Sequence, residues 1–404
     1  MPTHVARRLA ISAVLVVLPL VTPGPARLTQ SSPSVTWESW LHLTGVFDLQ
    51  GPRQSDGKLV VAALGNLKLV GVDGGVSDFA PTYNVPVAPE SYIALSPGLA
   101  VDGTDCKFEP DDVFALDQKR LVDPKAEAQG VTRISADGAT VSRFATIDGT
   151  SSLNGIVFDT GGRFDHRLLV AGLILPPGGV VGQPAPPGSR TQVFAVDCHG
   201  TVTKIGAPVP TALEGAMAIA PTGFGPFGGD LIVPNETDGA VYAVTPEGQL
   251  QKVVDSGLAV GGDIGVESLG FIPPGGASRV LVSDRGTPGS PHPGTETVLR
   301  LLAPALDGAG VRPGDLLVAT EASATTQVVH CAATCSARTF ATGPQPGHIE
   351  GHMLAIANPA KKSSDWGALA IIAGVLVVAG VVLVVAVRLR PRGSRRPRGS
   401  SLPS

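Results

Sequence analysis

Between residues 35 and 357 the apolar positions fall in short runs of Val, Leu, Ile and Phe, each closed by Gly, Pro, Asp or Asn. Runs of that length bounded by turn formers read as β-strands, and almost nothing here keeps a helical period. The strands group in fours. One group is Glu214 to Ala220, Gly229 to Val233, Ala240 to Val244 and Gln249 to Val254, with Pro246-Glu-Gly248 turning the last two. The group before it runs Asn154 to Phe158, Arg167 to Ala171, Gln192 to Val196 and Thr201 to Ile205. Six such groups can be traced, from near Thr44 to a last one using Asp315 to Thr320, Gln327 to His330 and Arg338 to Ala341. Repeated four-stranded units without helices predict an all-β fold, a β-propeller most simply of six blades. Residues 300 to 315 fit the unit badly and leave five or seven blades open. A two-sheet sandwich is the alternative fold, but it gives no reason for the repeat described next.

Each group opens on a polar residue, one or two small residues and an apolar run. The copies are Glu90-Ser-Tyr-Ile, Asn154-Gly-Ile-Val, Glu214-Gly-Ala-Met, Glu267-Ser-Leu-Gly and Glu350-Gly-His-Met, with Thr44-Gly-Val-Phe as a degenerate sixth. In a propeller, equivalent positions of successive repeats meet around one axis. The copy at Glu350 follows the last full group and is expected to close the ring by completing an unfinished blade. With strands a to d counted outward from the axis, the start of strand a shares a face with the b-to-c connections. Those connections are the long ones, Gln118 to Gly130, Leu173 to Arg190 and Arg285 to Thr295. Polar starts and long loops are therefore expected on one face, where binding loops collect on a rigid scaffold.

The two ends place the chain. Arg7 and Arg8, the apolar run Leu9 to Val21 and Pro23-Gly-Pro-Ala26 make a secretory signal over residues 1–26, too short to span a bilayer. The flanks of the arginine pair fit a twin-arginine signal poorly. Residues 366–387, Trp366 to Val387, are uncharged and almost wholly Val, Ala, Leu, Ile and Gly, the length of a transmembrane helix. Arg388, Arg390, Arg392, Arg395, Arg396 and Arg398 follow at once, and positive flanks stay cytoplasmic. The expected order is signal, propeller over 35–357, juxtamembrane linker over 358–365, membrane helix, and a cytoplasmic tail over 388–404. The strand at Glu350 should end on the face opposite the long loops, so the loop face is expected to point away from the cell.

Setting the ends aside changes the charge. Removing two arginines in the signal and six in the tail leaves 22 of the 30 basic residues against all 34 acidic ones, about −12 for the exported part. That argues against nucleic acid as a partner and is compatible with bound cations. Arginine exceeds lysine, and Ala, Gly, Val and Pro abound, as in proteins of GC-rich bacteria; Asn235-Glu-Thr237 is then not expected to be glycosylated. Four cysteines in an exported chain predict two disulfides. Cys331 and Cys335 are spaced for a bridge across a tight hairpin. Cys106 and Cys198 remain, both on the face opposite the long loops.

Carboxylate and amide oxygens converging on an axis are hard ligands suited to Ca2+ or a similar divalent cation. Glu90, Asn154, Glu214, Glu267 and Glu350 are candidates on that ground. His348-Ile-Glu350-Gly-His352 adds two imidazoles. Alternate strand residues face one side, so His348, Glu350 and His352 all look into the channel, and nitrogen ligands favour Zn2+ over Ca2+. The alternative is a ring of polar side chains around trapped water, with two solvated histidines. Nucleophile elbows, phosphate-binding loops and paired-histidine zinc motifs are missing from the sequence.

Leu153-Asn-Gly-Ile-Val-Phe158 followed by Arg167-Leu-Leu-Val170 resembles a blade of the gluconolactonase and regucalcin-like propellers, and strictosidine-synthase-like and NHL-type propellers share much of it. Glu214-Gly-Ala-Met-Ala218 stands where that family has Asp-Gly-Met-Ala, and Glu90 or Glu350 stands for its N-terminal glutamate. The resemblance covers blade starts. It implies a divalent cation on Asn154, Glu214 and a further glutamate, with Glu214 doubling as general base in lactone hydrolysis. Two functions follow as expectations. One is a membrane-anchored extracellular propeller that binds a ligand or protein through its outward face, with a cation in the channel. The other is a metal-dependent lactonase or esterase on the same scaffold.

Overall fold

The computed structural model describes residues 35–83, 91–117, 129–180, 185–262, 264–345 and 347–359. The signal, the linker beyond Pro359, the helix at 366–387, the basic tail and Glu90 lie outside the described residues. Among the described residues no helix is long and apolar enough to cross a membrane.

Six sheets carry nearly all the regular structure. Blade 1 is β3 (Val46–Gln50), β4 (Leu59–Ala63), β5 (Asn66–Val70) and β6 (Val76–Phe79). Blade 2 is β7 (Ile93–Leu95), β8 (Val113–Asp117), β9 (Gly130–Ile134) and β10 (Val141–Thr146). Blade 3 is β11 (Ser152–Phe158), β12 (Leu168–Ile174), β13 (Arg190–Val196) and β14 (Val202–Val209). Blade 4 is β15 (Ala218–Ile219), β16 (Leu231–Pro234), β17 (Ala240–Val244) and β18 (Leu250–Asp255). All four are antiparallel meanders in chain order.

The last two blades are interleaved. The chain lays down β19 (Val266–Phe271) in blade 5, then crosses to blade 6 for β20 (Ala277–Asp284) and β21 (Thr297–Leu302). The short helix α1 (Ala303–Gly308) brings it back to blade 5 for β22 (Leu316–Thr320), β23 (Thr326–Cys331) and β24 (Cys335–Thr342). It ends in β25 (Ile349–Ala357), the innermost strand of blade 6. This corrects the expectation of consecutive groups. Residues 300 to 315 fit the repeat badly because they run from the end of β21 through the crossover helix back to blade 5. The N-terminal segment supplies the outer edges: β2 (Glu38–His42) pairs with β21, and β1 (Val35–Thr36) adds a parallel strand to β24. Between them, Trp37 Nε1 donates to Thr326 Oγ1 (2.9 Å) in the core of blade 5. The innermost strands touch in the order β3, β7, β11, β15, β19, β25 and back to β3, which closes the ring.

The core lies between blades. Phe47, Tyr92, Phe114, Leu153 and Phe194 share one cluster, and Val282, Leu299, Leu317 and Ile349 share another. Both predicted disulfides are present, Cys106–Cys198 joining blades 2 and 3 and Cys331–Cys335 across the hairpin of β23 and β24. Asn235 is buried, and its Nδ2 donates to Thr211 Oγ1 (2.6 Å), so that sequon presents no free amide.

Candidate functional site at the loop-face mouth of the channel

The repeated blade start has two physical causes. The strand register shifts between Val46 and Asp48, between Leu153 and Gly155 and between Val266 and Ser268. A β-bulge at these points re-aims one side chain, here that of Phe47, Asn154 and Glu267. The true counterpart in blade 1 is thus Phe47, not Thr44. The small residue that follows lets the next blade approach. A Cβ on Gly155 would fall 2.8 Å from Gly215 O, and one on Gly215 or Gly351 would meet Glu267 O or Phe47 O closer still. Gly351 also holds a positive φ of 72°, which few other residues tolerate.

At the loop-face end of the channel, Glu321, His348 and Glu350 offer ligand atoms that all lie within 4.8 Å of one another. His348 and Glu350 come from the start of β25. Glu321 comes from the tight turn after β22, placed by two backbone bonds. Its own N–H donates to Gly265 O (3.0 Å), and Ser323 N–H donates to Gly347 O (2.9 Å). His348 Nε2 is 2.9 Å from Glu321 Oε1 and 2.9 Å from Glu350 Oε1. Arg285, at the end of β20, donates through one nitrogen to Glu350 Oε1 (2.6 Å) and Oε2 (2.5 Å), and its guanidinium lies over the Phe47 ring at 5.2 Å. Tyr92 OH donates to Glu267. Asp284 accepts from His348 N–H (2.6 Å) and from the Thr295 hydroxyl. Glu267, Glu321, His348 and Glu350 are all buried.

The electrostatics of the carboxylates diverge. Burial, reinforced by Glu350 and Glu236, pushes Glu321 up to about 11. Burial also opposes ionisation of Glu350, but Arg285 and His348 outweigh it and hold that carboxyl at about 2. Burial disfavours the His348 imidazolium, yet the bond and charge of Glu350 leave it above its ordinary value. Among the described residues, Glu321 Oε2 and His348 Nδ1 find no hydrogen-bond partner. Ionised, Glu321 is an acceptor beside the acceptors Glu350, Glu267 and Glu236; with its carboxyl raised it keeps a proton that Glu267 or Glu350 can accept.

Deeper in the channel His352 does something different. Asp48 Oδ1 accepts its backbone N–H (2.7 Å), and its Nδ1 is 3.0 Å from both Asp48 oxygens. Asp48 also accepts from Leu49 N–H and Ile93 N–H, each at 2.8 Å. His352 Nε2 donates to Ile156 O (3.1 Å) on β11. One buried pair thus ties blades 6, 1, 2 and 3 across the axis below the acidic group.

Of the residues singled out in the sequence, His348 and Glu350 fall in the cluster, and Glu267 lies beside it. His352 belongs to the lower clasp. Asn154 is buried, and its carbonyl accepts from Gly215 N–H (2.9 Å). Glu214 is partly buried and outside the Glu321–His348–Glu350 group, with Gly215 against Glu267. Glu90 is outside the described residues. Glu321, Arg285, Tyr92 and Asp48 were not singled out in the sequence; Tyr92 lies inside the copy at Glu90 but not at its polar start, no repeat marks the other three, and the pairing of strands brings them to the axis.

No family model and no curated protein matches the chain. Among solved structures it is similar to virginiamycin B lyase from Staphylococcus aureus, 9% identical over 75% of this chain and 73% of that one, with a TM-score of 0.40. A streptogramin B lyase is 10% identical over 80% and 92%, with a TM-score of 0.40. A gluconolactonase from Xanthomonas campestris is 16% identical over 65% and 87%, with a TM-score of 0.32. At such values the likeness carries no argument for activity. The chain is a six-bladed, all-β propeller on the strength of its own sheet pairing, with a buried acidic and imidazole group at the mouth of its channel.

Proposed function

We propose that Glu321, His348 and Glu350 hold a divalent cation and that the propeller uses it to bind a ligand presented from the loop face. The observation that carries this is the buried trio itself, whose ligand atoms all lie within 4.8 Å of one another. A cation between Glu321, His348 and Glu350 takes the place of the Glu321 proton and offsets the repulsion among the carboxylates. Two carboxylates and one imidazole suit a Zn2+-type ion better than Ca2+. The ion would supply a positive centre for a ligand oxygen. This chain's own residues do the rest: Arg285 orients Glu350, Tyr92 orients Glu267, and the Asp48–His352 pair ties the strands beneath the site. The protein is held in the membrane by residues 366–387 with the propeller outside. In support, β25 ends on the face opposite the site, so the chain leaves toward the membrane while the site lies at the far end of the channel.

Metal analysis of the purified chain before and after chelation tests the reading. Wild type and Glu214→Gln are expected to carry one equivalent, about 1 ion per chain, and Glu321→Gln to carry none. Equal content in Glu321→Gln removes the assignment.

A lactone or ester hydrolase is the second reading. It is favoured by the opposed carboxyls, Glu321 held protonated and Glu350 held ionised, the pattern of an acid and base pair. Glu214, at the neighbouring blade start, lies outside that pair and enters as candidate base through the blade-start resemblance alone. Turnover of a simple lactone by the loaded chain, lost in Glu214→Gln with the cation retained, supports it; no turnover by the loaded chain dismisses it.

A further inference from the structure

A pocket of about 140 Å3 opens beside the cluster on the same face. Its lining includes Phe47, Ala62, Ala63, Leu64, Ser91 and Arg285. Arg285 is the shared wall, since it bonds Glu350 on one side and borders the pocket on the other. Apart from Arg285 and Ser91 these side chains are apolar. Cavities of about this volume with apolar walls admit benzene.

Leu64 gives a second, independent reason to read this pocket as a site. It is the first residue of the two-residue turn between β4 and β5, with φ 47°, and Gly65 follows with φ 71°. Both values are positive, as in the type I′ hairpin turn, where Asn or Asp ordinarily precedes Gly because a leucine there is strained. The Leu64 side chain is also 64% exposed, so burial does not repay the strain. It lies over Gly45, where any Cβ would collide with it. A strained, exposed leucine that forms a pocket wall is unexplained by folding and explained by contact with a ligand. Two more exposed apolar side chains, Val180 and Val260, stand on connections of the same face.

We infer that this pocket takes an apolar group of about benzene's size, carried by the same ligand whose oxygen meets the cation. The ligand class is a small amphipathic molecule with a carboxylate or carbonyl head, and the inference rests on the cation reading above. Isothermal titration of the Zn2+-loaded full chain with acetate and with phenylacetate tests it, since the two share a head and differ in the apolar group. Phenylacetate is expected to bind more tightly by on the order of ten- to a hundredfold. Leu64→Asn suits the turn and should fold well; it is expected to cut that ratio severalfold, and Ala63→Leu, which fills the pocket, to abolish it. Neither residue touches the cluster, so Zn2+ affinity should stay the same in both. Equal affinity for the two probes in the loaded wild type, or an unchanged ratio in the two variants, overturns the pocket assignment alone. A wild-type chain that takes no Zn2+ overturns the cation reading instead, and is seen in the metal titration before either probe is added.

Discussion

His348 and His352 sit on one strand, four residues apart, and face the same channel, yet their surroundings are opposites. Around His352 the contacts close: Asp48 accepts from two backbone amides besides the amide and ring of His352, and the far ring nitrogen has the Ile156 carbonyl. Around His348 the contacts stay open, with one ring nitrogen and one carboxylate oxygen lacking partners among the described residues. A buried polar group that is fully bonded holds a fold together, whereas one left incomplete costs free energy unless a ligand completes it. The lower pair is structural by this criterion and the upper group is the candidate site. Composition alone does not separate them, since each joins imidazole to carboxylate.

The contrast is broken most strongly at the clasp. His352→Ala removes the ring contacts to Asp48 and to Ile156 O and leaves a buried gap beside a carboxylate that keeps its three backbone N–H donors, at a cost of about 1–3 kcal/mol. Chemical denaturation should register that loss while cation stoichiometry persists in the folded fraction. A loss under about 1 kcal/mol would mean the clasp is not structural.

A smaller effect sharpens the upper half. In the metal-free chain Glu321 is raised from 4.5 to about 11, and His348 is raised as well. A raised group stabilises the fold below its unfolded value and loses that contribution as pH climbs toward the folded one. The chelated protein should therefore melt lower at pH 9 than at pH 6. Glu321→Gln, which cannot ionise, should flatten that slope, by about 2 °C or more over the interval. Identical slopes in the two proteins would remove Glu321 as the source.

Much of this architecture is legible in the sequence. The short apolar runs and Gly, Asp and Pro turns give the blades, and the repeated polar starts mark the innermost strands. The order of connections places Cys106 and Cys198 on one face and the long loops on the other. The interleaving of blades 5 and 6 is not legible. β20 follows β19 in sequence as any second strand would, and only hydrogen bonding assigns it to the next blade. That misplacement hides Arg285 and Glu321, which reach the cluster from strand ends in two different blades. Asp48 is hidden because the register of the first copy is set at Phe47 by a bulge that its residues do not announce. Two of the three cluster residues, His348 and Glu350, show in the alternation of one strand; Glu321 is a single acid in a turn, and only tertiary pairing gives it meaning.

The most direct test of the account is the melting temperature of wild type and Glu321→Gln, each with a chelator and with excess Zn2+. The account predicts a crossing: Glu321→Gln melts above wild type in chelator, because the buried acid is gone, and below it in Zn2+, because only wild type gains stability from the ion. Equal stabilisation of both proteins by Zn2+, or no stabilisation of wild type, would contradict it.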